Sequence, residues 1–397
     1  METTIQNPKT IWSKDADLHS YPMLTEDIEV DVAIVGGGIT GISTAYTLSK
    51  AGKKVALLEA SQIGMGGTLF SSGNLHVPIE DHLYSITSIY DEKVLKNVVC
   101  SRMASISFIE ARIQEFDIDC DFKRVPFFLF STPNSTCKDE KIDRERLTAI
   151  KAGLRICKHV PENFPFPIQE FALVPNQAQF HPLKYVQQLG KSILGGNCAI
   201  YENSPVIKVE KGRPCQLYTR HGKVQAEYVI MANHSLKNNF TKPSALKPNW
   251  EHALVVKIKG DLPPEGIYWE TIGNQCYGFR SYSDGKEDFL MVFGESQCSI
   301  EQDASSESFK KLEAYIKEKF EVASIDYFWS TQTIIPEDGL PYIGKSPVDE
   351  HVYLATGFAS DGLIYGTLSA MIICDDIMGV ESNWGKTYRP GRKWKDL

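Results

Sequence analysis

Residues 31–59 read DVAIVGGGITGISTAYTLSKAGKKVALLE. Val32, Ala33, Ile34 and Val35 form a continuous apolar run, the pattern of a parallel strand covered on both faces. Gly36, Gly38 and Gly41 follow directly in the spacing G-x-G-x-x-G, and each glycine has its own mechanical task. The first permits a sharp turn, the second lets backbone amides approach a pyrophosphate, and the third lets the next helix lie close to the strand. Thr40 to Lys50 is predicted to be that helix, with Ile42, Ala45, Tyr46 and Leu48 as its apolar stripe and Gly52 as its stop. At its N-terminus, beside Ile39, unpaired amides and the helix dipole favour an anion. Lys53 to Leu58 is the second strand, and Glu59, followed by Ala60, stands eighteen residues past Gly41, where a carboxylate can bond both hydroxyls of an adenosine ribose. Strand, turn, helix, strand and acid together specify a dinucleotide site. They do not separate FAD from NAD.

Outside this unit the composition sets bounds. At 397 residues, 42% hydrophobic and 23% charged, the chain is long enough for two or three globular domains with a large core. A formal charge of −8 argues against nucleic acid as a partner, because phosphate backbones need a basic face. The basic tail Arg389 to Lys395 reads as a solvated segment. The opening residues have no apolar core of the signal-peptide kind, and no run reaches the length of a membrane span, so a cytoplasmic location is expected. Nine cysteines, an odd number without a C-x-x-C pair, suit reduced thiols, and none clusters with His at zinc-ligand spacing; no metal is expected.

Residues 1–30 read as an irregular arm that Trp12 pins to the body. The loop 64–76 is rich in Gly, Ser and Asn, and its position after the ribose-binding strand makes Gly67, Thr68, Ser72, Asn74 and Leu75 expected cofactor contacts. His76 at its end reads as a hydrogen-bonded loop histidine. Helices are expected over 80–116, 138–159, 180–193 and 305–320, and strands at 124–131, 198–201, 206–209, 215–220 and 228–231, with 244–294 all β. The strand YVIMAN ends at Ala232 and Asn233, where backbone can meet a ligand at a sheet's carboxyl edge. Val352 to Ala355, the turn TGFASDG (356–362) and a helix from Leu363 to Met378 make a second strand, glycine turn and helix. That helix offers another set of free amides.

With these pieces placed, the chain resembles the D-amino-acid-oxidase-like family of FAD-dependent oxidoreductases, which includes glycine oxidase, sarcosine oxidase and gamma-glutamylputrescine oxidase. The resemblance runs from about residue 12 to 388 and is carried by residues 31–60, FHPLKYVQQLG, SPVIKV, AEYVIMAN, PEDGLPYIG and VYLATGFASDGLIYGTLSAMIICDDI. It implies an α/β fold, with a Rossmann-like FAD-binding domain of the glutathione-reductase type formed by 1–80, 170–240 and 335–397. An inserted mixed or antiparallel β-sheet substrate domain would take 81–169 and 241–334. In the family the second glycine turn embraces the flavin, so Gly357, Phe358, Gly362, Leu363 and Ile364 are implied contacts, with Val206, Ala232 and Asn233 on the adenine side. That turn favours FAD over NAD. The implied reaction oxidises the C–N bond of an amine or N-substituted amino acid to an imine by hydride transfer to flavin N5, with oxygen or another electron acceptor. The alternative is an electron-relay flavoprotein or dehydrogenase in a partner complex.

Departures from the family pattern bear on the chemistry. Ser330 stands where members with covalent flavin have Cys, and the attaching loop His of other members falls at Phe70, with His76 too late, which implies non-covalent FAD. Thr333 stands where glycine oxidase-like members clamp the substrate carboxylate with Arg, a task left to Arg280. Tyr277 aligns with an active-site Tyr, Glu295 with an active-site His, and Met291 with an oxygen-activating Lys. Loss of that cation implies a slow reaction with oxygen. Arg280 and Glu295 would either contact substrate or pair with each other across adjacent strands.

Overall fold

The computed structural model describes residues 10–14, 16–79, 82–133, 140–157, 164, 166–234, 246–273, 275–297 and 302–392. Its strands are β1 (Ile28–Val35), β2 (Val55–Leu58), β3 (Asn74–Leu75), β4 (Lys123–Ser131), β5 (Glu170–Gln179), β6 (Cys198–Tyr201), β7 (Lys208–Glu210) and β8 (Cys215–Tyr218). They continue as β9 (Lys223–Met231), β10 (Leu246–Ile258), β11 (Ile267–Ile272), β12 (Gln275–Ser283), β13 (Asp288–Gln297), β14 (Val322–Pro336), β15 (Tyr342–Lys345) and β16 (Val352–Thr356). The helices are α1 (Ile39–Lys50), α2 (Leu83–Ile89), α3 (Glu92–Phe116), α4 (Glu140–Lys151), α5 (Pro182–Ser192), α6 (Gln302–Lys319), α7 (Gly362–Ile377) and α8 (Gly385–Tyr388).

The buried run Val32–Val35 is the C-terminal half of β1, held in parallel register between β2 and β9. Around it the first sheet runs β15-β16-β9-β1-β2-β6, with β7 and β8 attached to β9. Its strands from β16 to β6 are parallel, the order in which a doubly wound nucleotide fold gathers its loops at one edge. The second sheet runs β14-β10-β13-β12-β11-β4-β5-β3 and is antiparallel except between β11 and β4. This is the expected α/β fold class. The division of the chain differs in detail: β3 and β5, placed by sequence with the nucleotide-binding segments 1–80 and 170–240, belong to the second sheet.

Alternation sorts the second sheet into two faces. Leu254, Phe279, Leu290 and Val292 meet Leu312, Tyr315 and Ile316 of α6 on one face. Ala253, Val255, Met291 and Trp329 face the other way, against Ile11, Trp12 and Leu69. The arm is pinned as expected: Trp12 is fully buried, its indole edge-on to His181 and Tyr282.

The helix expected over 80–116 is two helices. Asp91 accepts the Val94 amide as an N-cap and starts α3 after a break at Tyr90. Of the helix expected over 138–159, Glu140–Lys151 is helical, and residues 138, 139, 158 and 159 lie outside the described residues. Among the described residues no helix is long and apolar enough to cross a membrane.

Candidate active site

A cavity of about 390 Å³ is lined from both sheets. At its nucleotide end the glycines behave as their spacing requires. Gly36 has φ +109°, and a Cβ there would meet the Ala232 carbonyl oxygen at 2.6 Å. A Cβ on Gly41 would fall 1.9 Å from the Gly36 carbonyl oxygen, so only glycine lets α1 lie this close to the turn. The Ile39 amide donates to Thr68 Oγ1 at 3.0 Å, which stitches the 64–76 loop to the helix N-terminus. Glu59 accepts the Gly37 amide at 2.6 Å and the Ser61 amide at 2.9 Å, so its carboxylate is held by two backbone donors at the cavity wall.

Gly36, Gly38, Ile39, Glu59 and Ala60 line this cavity, joined by Gly67, Thr68, Ser72 and Asn74 from the loop. Val206, Ala232 and Asn233 close the sheet edge, and Phe358, Gly362 and Leu363 come from the second turn. Nothing lies within 4 Å of a Cβ built on Gly66, Gly67 or Gly362. At α7 the Ile364 and Tyr365 amides are the ones that bond Asp361 O, so those of Gly362 and Leu363 precede the helix's own bonds. Gly41, Leu75, Gly357 and Ile364 stand behind this lining.

The far end is walled by the second sheet, through Trp269, Cys276, Gly278, Phe293 and Trp329. None of the three side chains expected to do chemistry faces it. Tyr277 alternates to the α6 face, stacks on Tyr315 at 4.4 Å and donates its hydroxyl to Glu295. Burial, then that bond, pushes its pKa up. Glu295 reaches the same face because the ladder shifts register between Trp250 and His252, with Gly294 at φ +155° and Glu295 at φ +54°. There it meets Lys311 at 3.6 Å.

Arg280 is on the cavity side, but its guanidinium donates to the carbonyls of Ser72 and Gly73 at 3.1 and 3.0 Å, and burial lowers its pKa to about 10. It belongs to a set. Trp329 donates to Phe70 O at 2.9 Å and Trp12 to Ser71 O at 2.8 Å, so four successive loop carbonyls are taken by three side chains. Arg280 and Glu295, on opposite faces, form no ion pair with each other; nor does Arg280 line the cavity. Met291 is fully buried beside Trp329 and Trp12. Thr333 does line the cavity and donates to Glu251 at 3.2 Å, and Glu251 also accepts Ser360 Oγ at 2.5 Å.

Two helix N-termini, a carboxylate at the end of the second strand and a sheet-walled chamber in one cavity are what an FAD enzyme needs. The sequence profile of one family, FAD dependent oxidoreductase, matches residues 31–375. The chain belongs to this family.

This FAD dependent oxidoreductase is 29% identical, over 97% of its length, to a putative Rieske 2Fe-2S iron-sulfur protein of Bacillus subtilis, of which it spans 76%. It is 24% identical to the gamma-glutamylputrescine oxidoreductase of Escherichia coli over 90% of this chain and 85% of that one. The crystal structure of glycine oxidase from Geobacillus kaustophilus shares the fold, with a TM-score of 0.73 over 92% of this chain and 99% of that chain at 18% identity. The oxidoreductase also places in its cavity residues that the sequence did not single out for it. Glu251, His252, Trp269, Cys276 and Gly278 line it, as does His76, which sequence reads as a satisfied loop residue. No Lys or Arg is among the described lining residues.

Proposed function

We propose that this oxidoreductase binds FAD non-covalently in the cytoplasm and oxidises the C–N bond of an amine or N-substituted amino acid to an imine. The observation that carries this reading is the continuity of one cavity from the α1 N-terminus and Glu59, past the α7 N-terminus, to the Trp269–Phe293 wall of the second sheet. The cavity joins a dinucleotide cradle to a chamber walled by Trp269, Phe293 and Trp329, with Glu251 and His252 also in the lining. The names of the relatives, glycine oxidase and gamma-glutamylputrescine oxidoreductase, point to substrates with a C–N bond.

In this reading the α1 N-terminus at Gly38 holds the pyrophosphate, the amides of Gly36, Gly37 and Ile39 being given to Leu58 O, Glu59 and Thr68, and Glu59 holds the adenosine ribose, with Val206, Ala232 and Asn233 along the adenine side. The first-turn amides of α7, at Gly362 and Leu363, would stabilise negative charge on the reduced flavin. Bound FAD supplies N5 as the hydride acceptor. The chain's contribution is placement: Trp269, Phe293 and Trp329 exclude water, and the fixed 70–73 loop sets the chamber's floor. With Thr333 beside Glu251 where the glycine oxidase-like pattern has Arg, the chamber does not select a simple amino-acid carboxylate by a cation at that position.

Anaerobic mixing of the yellow protein with a panel of amines and N-methyl amino acids tests this reading, because a substrate bleaches the flavin absorbance. A flavin that dithionite reduces but no amine does would refute it. A second reading of the electron acceptor is favoured by the iron–sulfur relative: the electrons pass to a one-electron partner, and oxygen is a poor acceptor. Reduced enzyme that ferricyanide reoxidises much faster than air does supports that reading, and rapid reoxidation by air rejects it.

A further inference from the structure

His76 follows β3 directly, is 6% exposed and lines the cavity on the Trp269 side. Its Nδ1 lies 2.7 Å from the Pro78 carbonyl oxygen. A carbonyl can only accept, so Nδ1 carries the proton and, in the neutral ring, Nε2 carries a lone pair. Burial holds the ring neutral by lowering its pKa to about 4, with Asp361 opposing and Arg102 adding to the shift.

The ring is also immobilised. Arg102, fully buried on α3, donates Nε to Val77 O at 2.8 Å and Nη2 to His76 O and Pro78 O at 2.8 and 3.0 Å. The same Nη2 reaches Asp361 Oδ1 at 2.8 Å, which ties the 76–78 segment to the start of α7. Phe127 and Trp269 flank the imidazole at 5.2 and 5.0 Å between centroids. A preset hydrogen-bond acceptor is thus fixed in an otherwise largely aromatic wall, at the end of the cavity away from the dinucleotide cradle.

We propose that His76 Nε2 accepts a hydrogen bond from the N–H of the substrate's reacting amine. The inference rests on the amine-oxidising reading given above. The bond turns the nitrogen lone pair toward the carbon that loses hydride. As the C–H bond breaks, its electron pair leaves as hydride to the flavin, which gains two electrons. The nitrogen lone pair becomes the second C=N bond, and the iminium keeps its N–H on His76 until water hydrolyses it. A tertiary amine, which in its neutral form has no N–H, gains nothing from His76.

Stopped-flow reduction of the holoenzyme separates the outcomes. The probes are the fastest secondary amine of the panel and its N-methylated tertiary counterpart, with binding of each read from the flavin spectral shift. His76→Leu should keep its flavin, lose about 100-fold in limiting reduction rate with the secondary amine and bind that amine more weakly. Binding of the tertiary amine should not change. His76→Gln, whose side-chain oxygen can accept in place of Nε2, should recover most of the loss. Equal effects on both amines, no effect on either, or no recovery in His76→Gln would overturn the role of His76 while leaving amine oxidation standing. A wild-type flavin that no amine bleaches would overturn both.

Discussion

Gly41→Ala tests the reading of the nucleotide turn at its least forgiving position. The added Cβ would sit 1.9 Å from the Gly36 carbonyl oxygen and 3.0 Å from its carbon, where real Cβ atoms do not come within 3.0 Å. Both neighbours are backbone of the phosphate turn, so no side chain can rotate out of the way. The N-terminus of α1 must retreat from β1 by more than an ångström, dragging the Ile39 amide from Thr68 and leaving Leu57 against the new methyl. Overpacking of this kind costs about 3 kcal/mol. Over 397 residues that lowers the melting temperature by about 4 °C. Displaced amides should also lose their grip on the pyrophosphate, so the purified variant should be folded by circular dichroism and depleted in flavin. A Gly41→Ala protein with wild-type flavin content and an unchanged melting temperature would refute the close-approach reasoning.

Gly38→Val should give the complementary signature: its Cβ comes within 3.1 Å of Thr68 Oγ1 and fronts the cavity, so flavin content should fall while the melting temperature of the flavin-free protein drops less than in Gly41→Ala. Tyr277→Phe should leave the rate of flavin reduction by amines unchanged and cost about 1 kcal/mol in unfolding free energy, because the hydroxyl serves Glu295 under α6; a large loss of rate would return Tyr277 to the chemistry. Acid precipitation should release the flavin into the supernatant, whereas colour left in the pellet would show a covalent bond. Glu145 is buried, accepts the Leu83 and Tyr84 amides, and has its pKa raised by burial from 4.5 to about 7. Between those values the folded chain holds a proton that the unfolded chain has released, so stability should fall as pH rises through that window, by about 3 kcal/mol in all. Glu145→Gln should flatten the decline, and an identical pH slope in urea unfolding would reject the assignment.

The nucleotide half was legible because its signals are local. Gly36, Gly38, Gly41 and Glu59 carry their meaning in spacing along a single strand–helix–strand unit, and the turn before Leu363 repeats it. The second sheet was less legible for three physical reasons. Strand β5 carries Pro175 and Asn176, the latter at φ +62°, and its ladder with β4 slips beside them, which erases the alternation a strand would show. Strand β14 is an edge strand with many partly exposed positions, so it lacks a clean apolar face. At Glu295 alternation was present but broken: counting by twos from Phe293 aims it into the cavity, and the bulge at Gly294 turns it under α6. His76 was unreadable for another reason, since its tautomer is set by Pro78 and its position by Arg102, twenty-six residues away.

The four carbonyls of residues 70–73 make the chamber wall a long-range structure. Their donors are Trp12, Arg280 and Trp329, so one short loop is held at the same time by the start of the chain and by two strands of the second sheet. The chamber wall is therefore shared by segments far apart in sequence, whereas the phosphate turn belongs to a single strand–helix–strand unit.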